Sequence, residues 1–511
     1  MSKTEKIRQP VVAVMGHVDH GKTTFLDAIR GARVAEKEVG GITQNTRAHE
    51  ITLKSGNKIT FIDTPGHEAF SAMRKRGVLV TDFVLLMVAA DDGVQPQTKE
   101  SIKFAQENNV PIIVAINKID IEGVNTQKIK SELASYGVQV EDLGGDVLCF
   151  EISAKNKTGL DELLEGIQLL AEINELKPST LDEGILAKAF VLESIFDKHL
   201  GNIGICIIKG GSIEHRLFGV SSSGYFKIRS ILNEDFKPIK SASESQPTWI
   251  TGLKQPLNTG EMLYFVQNEN EAKSLFEQLK NKEEEEKAQE IDPESIFAQM
   301  LLQREEEKQG INQKSLKIIL KAQTQGALEA ILKQIEKLET EEAKIEVLYS
   351  ATGNITEDDV FRAKTAKAII VSFQLSPDNK TLQIAKREKV LIRNYEIIYE
   401  MIDELTEALD ALADNFEEEI ELARAIVKKV FILSNGSIVA GCEVKSGTFV
   451  KGYKVWVERG DEEVGRGKIV SLKQGKNEIR EVKKGLECGI IIDPQIEIEE
   501  GDEIVAYRVE K

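Results

Sequence analysis

The 511-residue chain has only four cysteines, Cys149, Cys206, Cys442 and Cys488. They lie far apart, form no Cys-x-x-Cys pair and have no histidine cluster nearby. That excludes a disulfide scaffold and argues against a structural zinc site. No apolar run approaches the roughly 18 residues that span a bilayer; candidates such as residues 83–90 are strand-sized. The stretch VVAVM near the N-terminus is too short for a secretory h-region and runs straight into a glycine-rich motif. A surplus of positive charge is also missing. Lys and Arg number 66 against 84 Asp and Glu, a net charge of −18. This is the wrong sign for coating nucleic acid by bulk electrostatics, so any RNA contact has to be local. What remains is a soluble, cytoplasmic, multidomain protein with reduced thiols, no membrane association and an expected monomeric state. At roughly 150 residues per domain, about three or four domains are expected.

From residue 10 to about 170, short apolar runs alternate with amphipathic stretches of helix length. VVAVM (11–15), KITFID (58–63), FVLLMVAA (83–90), IIVAIN (112–117) and VLCFEIS (147–153) read as strands. Near-continuous Val/Ile/Leu runs separated by helices predict a mainly parallel sheet covered on both faces. Ligands in such sheets sit at the carboxyl ends of the strands, and the motifs all fall there.

GHVDHGKT (16–23) matches G-x-x-x-x-G-K-[ST] between a strand and a helix. Gly16 and Gly21 let backbone N–H groups turn toward phosphate oxygens, with His17, Val18, Asp19 and His20 forming the loop between them. The helix N-terminus adds its dipole. Lys22 reaches the β- and γ-phosphates, Thr23 ligates Mg²⁺, and Thr24 continues the first turn. DTPGH (63–67) ends the second strand, so Asp63 can hold the magnesium shell through water. Thr64 and Pro65 follow, and Gly66 can offer its amide to the γ-phosphate. NKID supplies Asn117, Lys118, Ile119 and Asp120. A carboxylate at Asp120 can accept from both N1–H and the 2-amino group of guanine, a pattern that adenine does not present. Ser153, Ala154 and Lys155 end the next strand, where backbone amides can meet the guanine O6. The set predicts a site for GTP or GDP with Mg²⁺.

In this order GHVDHGKTT, DTPGHEAF, NKID and SAK resemble the GTP-binding domain of the translational GTPases. GGITQ (40–44), DTPGHEAFSAMRKRG (63–77) and VAADDGVQPQT (88–98) resemble its bacterial initiation-factor-two branch. The resemblance implies that Thr43 closes on Mg²⁺ and the γ-phosphate only in the GTP state. It implies that His67 orients the attacking water once a ribosome positions it, with Val18 in an apolar gate. The implied catalytic set is Lys22, Thr43, Gly66 and His67; the implied metal set is Thr23, Thr43 and Asp63. NTRAHE (45–50) departs from the family pattern, which continues with a histidine and a glycine. No arginine finger is identifiable in cis. Slow intrinsic hydrolysis is therefore expected, because activators can supply roughly 10³ to 10⁵-fold.

Beyond this GTP-binding domain (8–173), residues 181–268 are strand-rich with turn glycines and predict a β-barrel. Residues 269–313 carry two acidic runs and read as an acidic helical linker, or as a solvated helical surface with no role of its own. Residues 314–394 alternate strand and helix and predict a small α/β domain. From 395 to 420 Ile398, Ile402, Leu405, Leu409 and Leu412 recur at three or four, predicting a connecting helix of about seven turns. A coiled-coil dimer is the alternative.

The last segment, 421–511, predicts a second β-barrel. Between residues 422 and 490 there are 14 basic against 8 acidic residues, enough for a local RNA contact. GCEV (441–444), SLK (471–473) and KGLECGI (484–490) resemble the family's initiator-tRNA-binding domain. That resemblance implies that Cys442, Lys473, Glu487, Cys488 and Gly489 line a site for the formylmethionyl end. By residue type alone, Cys442 and Cys488 read as core packing. Gln474 and Gly475 stand where the family has a basic residue and an aromatic.

The fold expected is thus a P-loop GTPase domain, a β-barrel, a small α/β domain, a long connecting helix and a C-terminal β-barrel. The resemblance implies a translation initiation factor. It would recruit and protect formylmethionyl initiator tRNA on the small ribosomal subunit, promote joining of the large subunit and hydrolyse GTP on the assembled ribosome. Other initiation factors are further expected partners. Two alternatives stay open: a ribosome-docked assembly or stress GTPase without tRNA cargo, and a binding switch in which hydrolysis is incidental.

Overall fold

Six strands make the first sheet: β1 (Val11–Met15), β2 (Arg47–Thr52), β3 (Lys58–Asp63), β4 (Phe83–Ala89), β5 (Ile112–Asn117) and β6 (Cys149–Glu151). Their spatial order is β2-β3-β1-β4-β5-β6. All neighbours run parallel except β2, which lies antiparallel along β3. Every residue of β1 and β4 is buried, so both faces need helical cover. Helices α1 (Lys22–Arg30) and α5 (Leu160–Ile173) cover one face through Phe25, Leu26, Leu163 and Ile167. Helices α3 (Pro96–Glu107) and α4 (Thr126–Ser135) cover the other through Ile102, Ile129 and Leu133. Helix α2 (Ser71–Val80) packs Val78 against Ala13, Met15 and Val84. The expected mainly parallel sheet is therefore mixed at one edge. The divergent NTRAHE stretch runs into that edge strand, whose polar composition hid it from a search for apolar runs.

The computed structural model describes residues 7–31, 43–290, 314–338, 340, 343–414, 418–432, 438–460, 462–475, 477–494, 496 and 498–510. The chain forms two compact units, residues 1–407 and 408–511. In the first unit, nine antiparallel strands between residues 187 and 266 build a barrel around Val191, Cys206, Ile208, Ile250 and Phe265. Helix α6 (Glu269–Glu290) follows. Its Ala272, Leu275, Phe276 and Leu279 recur at helical spacing and pack on Val220 and Val266 of the barrel. The first turns of the expected linker thus belong to the barrel, while 291–313, including the second acidic run, lie outside the described residues.

A four-stranded parallel sheet comes next, in the spatial order Ala343–Thr352, Lys314–Ala322, Ile369–Phe373 and Ile392–Tyr395. The helices Gln325–Lys337, Glu357–Ala366 and Asn379–Arg387 connect it. Thr356 and Asp359 form a capping box that starts the second of these helices.

The connecting helix is shorter than the 395–420 expected. It spans Ile398–Asp414, Tyr395 ends the preceding strand, and Glu418–Ile432 is already a strand. The apolar helical period stops at Leu412, and from residue 418 the backbone bonds to neighbouring strands instead. In the second unit, six antiparallel strands close a ring: Glu418–Ile432, Glu503–Glu510, Lys454–Arg459, Glu462–Gln474, Glu487–Asp493 and Ile438–Val450, which pairs back to the first. Among the described residues no helix is long and apolar enough to cross a membrane.

Candidate nucleotide site

The turns after β1, β3, β5 and β6 meet around a cleft of about 460 Å³. Of the expected residues, Val18, Asp19, Gly21, Lys22, Thr23, Thr24, Thr43, Gly66, His67, Asn117, Lys118, Asp120, Ala154 and Lys155 line it. Gly16, His17, His20, Asp63, Thr64, Pro65, Ile119 and Ser153 stand behind this lining. Several of them hold it in shape.

The phosphate loop depends on glycine where backbone leaves no room. Gly16 has φ +140°, and a Cβ there would sit 2.3 Å from the Met87 carbonyl oxygen. His20 is fully buried. Its Nδ1 lies 3.1 Å from the Met87 carbonyl and its Nε2 3.0 Å from Asp92, so its side chain braces the loop from behind. The Lys22 ammonium donates to the carbonyls of Gly16 (2.9 Å) and His17. Burial pushes its pKa down to about 8, and the Asp63 carboxylate opposes that shift. An arriving phosphate would supply the charge this buried cation lacks. The Val18 amide donates to Gln97 Oε1 at 3.1 Å.

Three oxygen-bearing side chains expected around a hard cation lie at the mouth of this loop. The Thr23 and Thr43 hydroxyls are 2.8 Å apart, and Asp63 ends β3 almost fully buried. Hydroxyl and carboxylate oxygens are the donor types Mg²⁺ takes, together with phosphate and water, so the residues fit that ion.

His67 Nδ1 accepts from the Ala69 amide at 2.8 Å, which assigns the ring proton to Nε2. Nε2 is buried with no hydrogen-bond partner among the described residues. Burial, then the nearby Arg74 charge, pushes the His67 pKa down, so the ring is neutral near pH 7. Arg74 is fully buried on α2. It donates to the carbonyls of Pro65 (2.9 Å) and His67 and pairs with Glu100. It is not aimed at a phosphate; it pins the turn that presents Gly66 and His67.

At the base-binding end, Asn117 joins three turns: Nδ2 donates to the His20 carbonyl at 3.0 Å, and Oδ1 accepts from the Ala154 amide at 2.9 Å. The Ala154 amide is therefore engaged here, and not offered to a base. Asp120 accepts from the Ser153 hydroxyl at 2.6 Å, which holds its carboxyl below the usual carboxylate range. It stays an ionised acceptor.

Residues that motif reading missed are Gln97, Arg74 and Tyr399. The first two lie inside stretches already marked by resemblance and carried no spacing rule of their own. Tyr399 lines the cleft from 332 residues further along than His67; its ring meets His67 at 4.1 Å between centroids. Nothing local marks it.

In the second unit, Cys442 pairs with Cys488, Gly441 with Gly489 and Glu443 with Glu487 across adjacent strands, and Lys473 pairs with Gly489 on the other side. The expected five-residue site divides by strand alternation. Cys442 and Cys488 are 1% and 5% exposed in the barrel core, with their thiol pKa values pushed up by burial. They do not line a surface. Lys473 and Glu487 are exposed, and Gly489 is half-buried beside Gly441.

Comparison with known proteins accords with this geometry. Residues 7–172 match the model of the elongation factor Tu GTP binding domain, residues 280–406 that of translation-initiation factor 2, and residues 422–505 that of elongation factor Tu domain 4. The chain is 41% identical over 507 residues to translation initiation factor IF-2 of Thermoanaerobacter sp. (strain X514), covering 99% of this chain and 72% of that protein. It is 40% identical over 509 residues to translation initiation factor IF-2 of Caldanaerobacter subterraneus subsp. tengcongensis, covering 99% and 70%. Among solved structures, GDP-bound aIF5B from Aeropyrum pernix aligns with a TM-score of 0.46 at 24% identity, over 99% of this chain and 92% of that one. Identity of this level over nearly the whole chain, on top of the GTP-site motifs, places the chain in the translation initiation factor IF-2 family of GTPases.

Proposed function

We propose that this GTPase carries formylmethionyl initiator tRNA to the small ribosomal subunit, shields its ester, and promotes joining of the large subunit. GTP hydrolysis, stimulated by the assembled ribosome in the cytoplasm, then releases the factor. The observation that carries the GTP half is the convergence of four strand-end turns and Thr43 on one cleft. In it Lys22 meets the β- and γ-phosphates, and Gly66 lies close enough that a Cβ would touch Lys22 Nζ. Asp120 reads the guanine edge. Thr23, Thr43 and Asp63 would hold Mg²⁺, which when bound neutralises phosphate charge. His67, neutral with its proton on Nε2, orients water and does not abstract a proton in the state described.

In the C-terminal barrel, the Gly441–Gly489 pair adjoins Lys473 and Glu487, with the Phe431 and Val439 side chains beside it. A formylated amine is neutral, whereas a free aminoacyl group is cationic. A small site rich in backbone groups favours the former, because burying an unpaired charge costs far more. Cys442 and Cys488 support this site from the core. The domain limits follow the same scheme: 8–173 for the GTPase, 181–268 for the first barrel, 314–395 for the small α/β module, and from 418 onward for the C-terminal barrel.

The first test is ester protection. The half-life of formylmethionyl-tRNA is measured with and without the protein, against unformylated methionyl-tRNA. Selective protection is expected. Equal decay of both, with GTP binding intact, would favour a ribosome-docked GTPase without cargo. His67→Ala tests the clock: subunit joining proceeds while turnover and release fail.

A further inference from the structure

Four observations meet at the start of the helix Ile398–Asp414. First, the helix buries Ile398, Met401, Leu405 and Leu409, a spacing of three and four that accounts for its packing. Tyr399 lies off that face and is 49% exposed, so the core does not need its ring. Second, that ring lies against the His67 imidazole at 4.1 Å between centroids, inclined by 61°, while Phe70 stands at 5.9 Å on another side. Third, His67 Nε2, the atom that has to face water during hydrolysis, is buried with no hydrogen-bond partner among the described residues. Fourth, the position of Tyr399 is tied to the loop that carries Thr43. Gln44 is nearly fully buried; its Nε2 donates to the Glu396 carbonyl at 2.9 Å, and its Oε1 accepts from the Ile398 amide at 3.2 Å. Asn45 adds a bond to Gln374 at 3.0 Å.

We infer that Tyr399 is a positioning residue of the GTPase reaction: its ring covers His67 and keeps Nε2 from water, and Gln44 holds it there by bracketing the start of its helix. The cost of a buried, unpaired N–H at His67 is kept in place by packing from an element outside the GTP-binding sheet. Movement of the Thr43 segment that breaks the Gln44 bracket would free the helix start and uncover the imidazole. The inference rests on the proposal that His67 orients the attacking water.

The test is single-turnover hydrolysis of GTP by the full chain without ribosomes, together with GTP affinity. Tyr399→Ala should raise the ribosome-free rate by roughly tenfold, a fraction of the 10² to 10⁴ that a positioned catalytic side chain contributes. Affinity should be little changed. Tyr399→Phe, which keeps the ring and loses only the hydroxyl, should stay at the original rate; this rescue separates covering from general damage to the helix. His67→Ala/Tyr399→Ala should lose the gain. A Tyr399→Ala rate equal to the original, with His67→Ala still abolishing ribosome-stimulated turnover, overturns the covering role and leaves the His67 assignment standing. A gain that survives in the double variant overturns the His67 assignment itself.

Discussion

Asn117 donates through Nδ2 to the carbonyl of His20 at 3.0 Å, across 97 residues of sequence. Because its Oδ1 also accepts from the Ala154 amide, one buried amide ties the phosphate loop to both base-reading turns. Asn117→Ala removes both bonds and leaves a buried N–H without its acceptor. GTP and GDP affinity should fall alike, by roughly thirtyfold to nearly a thousandfold for two buried bonds at about 1–2 kcal/mol each. Equilibrium binding checks this; an unchanged Kd for either nucleotide contradicts the role.

Asp120→Asn tests base selection separately. The Ser153 hydroxyl that donates to Asp120 can still donate to an amide oxygen, so the turn should persist. The acceptor pair for the guanine edge becomes one acceptor and one donor, a pattern that suits xanthine. Preference should move from GTP toward XTP, with GTP affinity reduced roughly tenfold or more. Competition binding with the two nucleotides reads the shift, and retention of full GTP preference would remove Asp120 from the site.

Arg74→Met should separate stability from binding. Arg74 is fully buried and supplies donors to the Pro65 and His67 carbonyls and to Glu100. Glu100 is only partly buried and can rehydrate, so the loss should fall below the roughly 3–5 kcal/mol that breaking a fully buried pair costs. The melting temperature should drop, and ribosome-stimulated turnover should fall further than GTP affinity, since the turn bearing His67 loses its anchor. Equal loss of both would assign Arg74 to the fold alone.

Glu193 gives a pH prediction. It is buried in the first barrel, accepts at Oε1 from the amides of Ser194 and Gly326 at 2.9 Å each, and has no partner for Oε2 among the described residues. Burial pushes its pKa from 4.5 up to about 7. Between those values the folded chain holds a proton that the unfolded chain releases, so stability falls as pH rises from about 4.5 to 7 and is flat above. The full span is on the order of 3 kcal/mol. Glu193→Gln should remove that slope, which thermal melts of the first unit at pH 5 and pH 8 measure. An identical pH dependence in the variant would mean that the carboxyl is solvated.

Much of the nucleotide site was legible because phosphate and guanine recognition use short, contiguous turns. GHVDHGKT, DTPGH, NKID and SAK each bring their own backbone geometry, and the apolar strands before them decide where the turns end up. The antiparallel strand β2 was not legible, since RAHEIT carries no clean alternation and owes its state to pairing with β3. The strand Ile392–Tyr395 is likewise too short to show a period of its own. The connecting helix was read too long because acidic residues continue past Asp414, while the apolar spacing that defines the helix ends at Leu412.

Sequence alone thus determined the chemistry of the GTP site, the strand-and-helix rhythm around it and the family, because those rest on local spacing of residue types. Tertiary structure decided which of the marked residues face a ligand. Strand alternation turned Cys442 and Cys488 into the barrel core while leaving Lys473 and Glu487 outside. Burial set the His20 side chain behind the phosphate loop as a brace and made Arg74 an anchor. It also brought Tyr399 onto His67. Contacts across hundreds of residues follow from packing geometry, which no local pattern encodes.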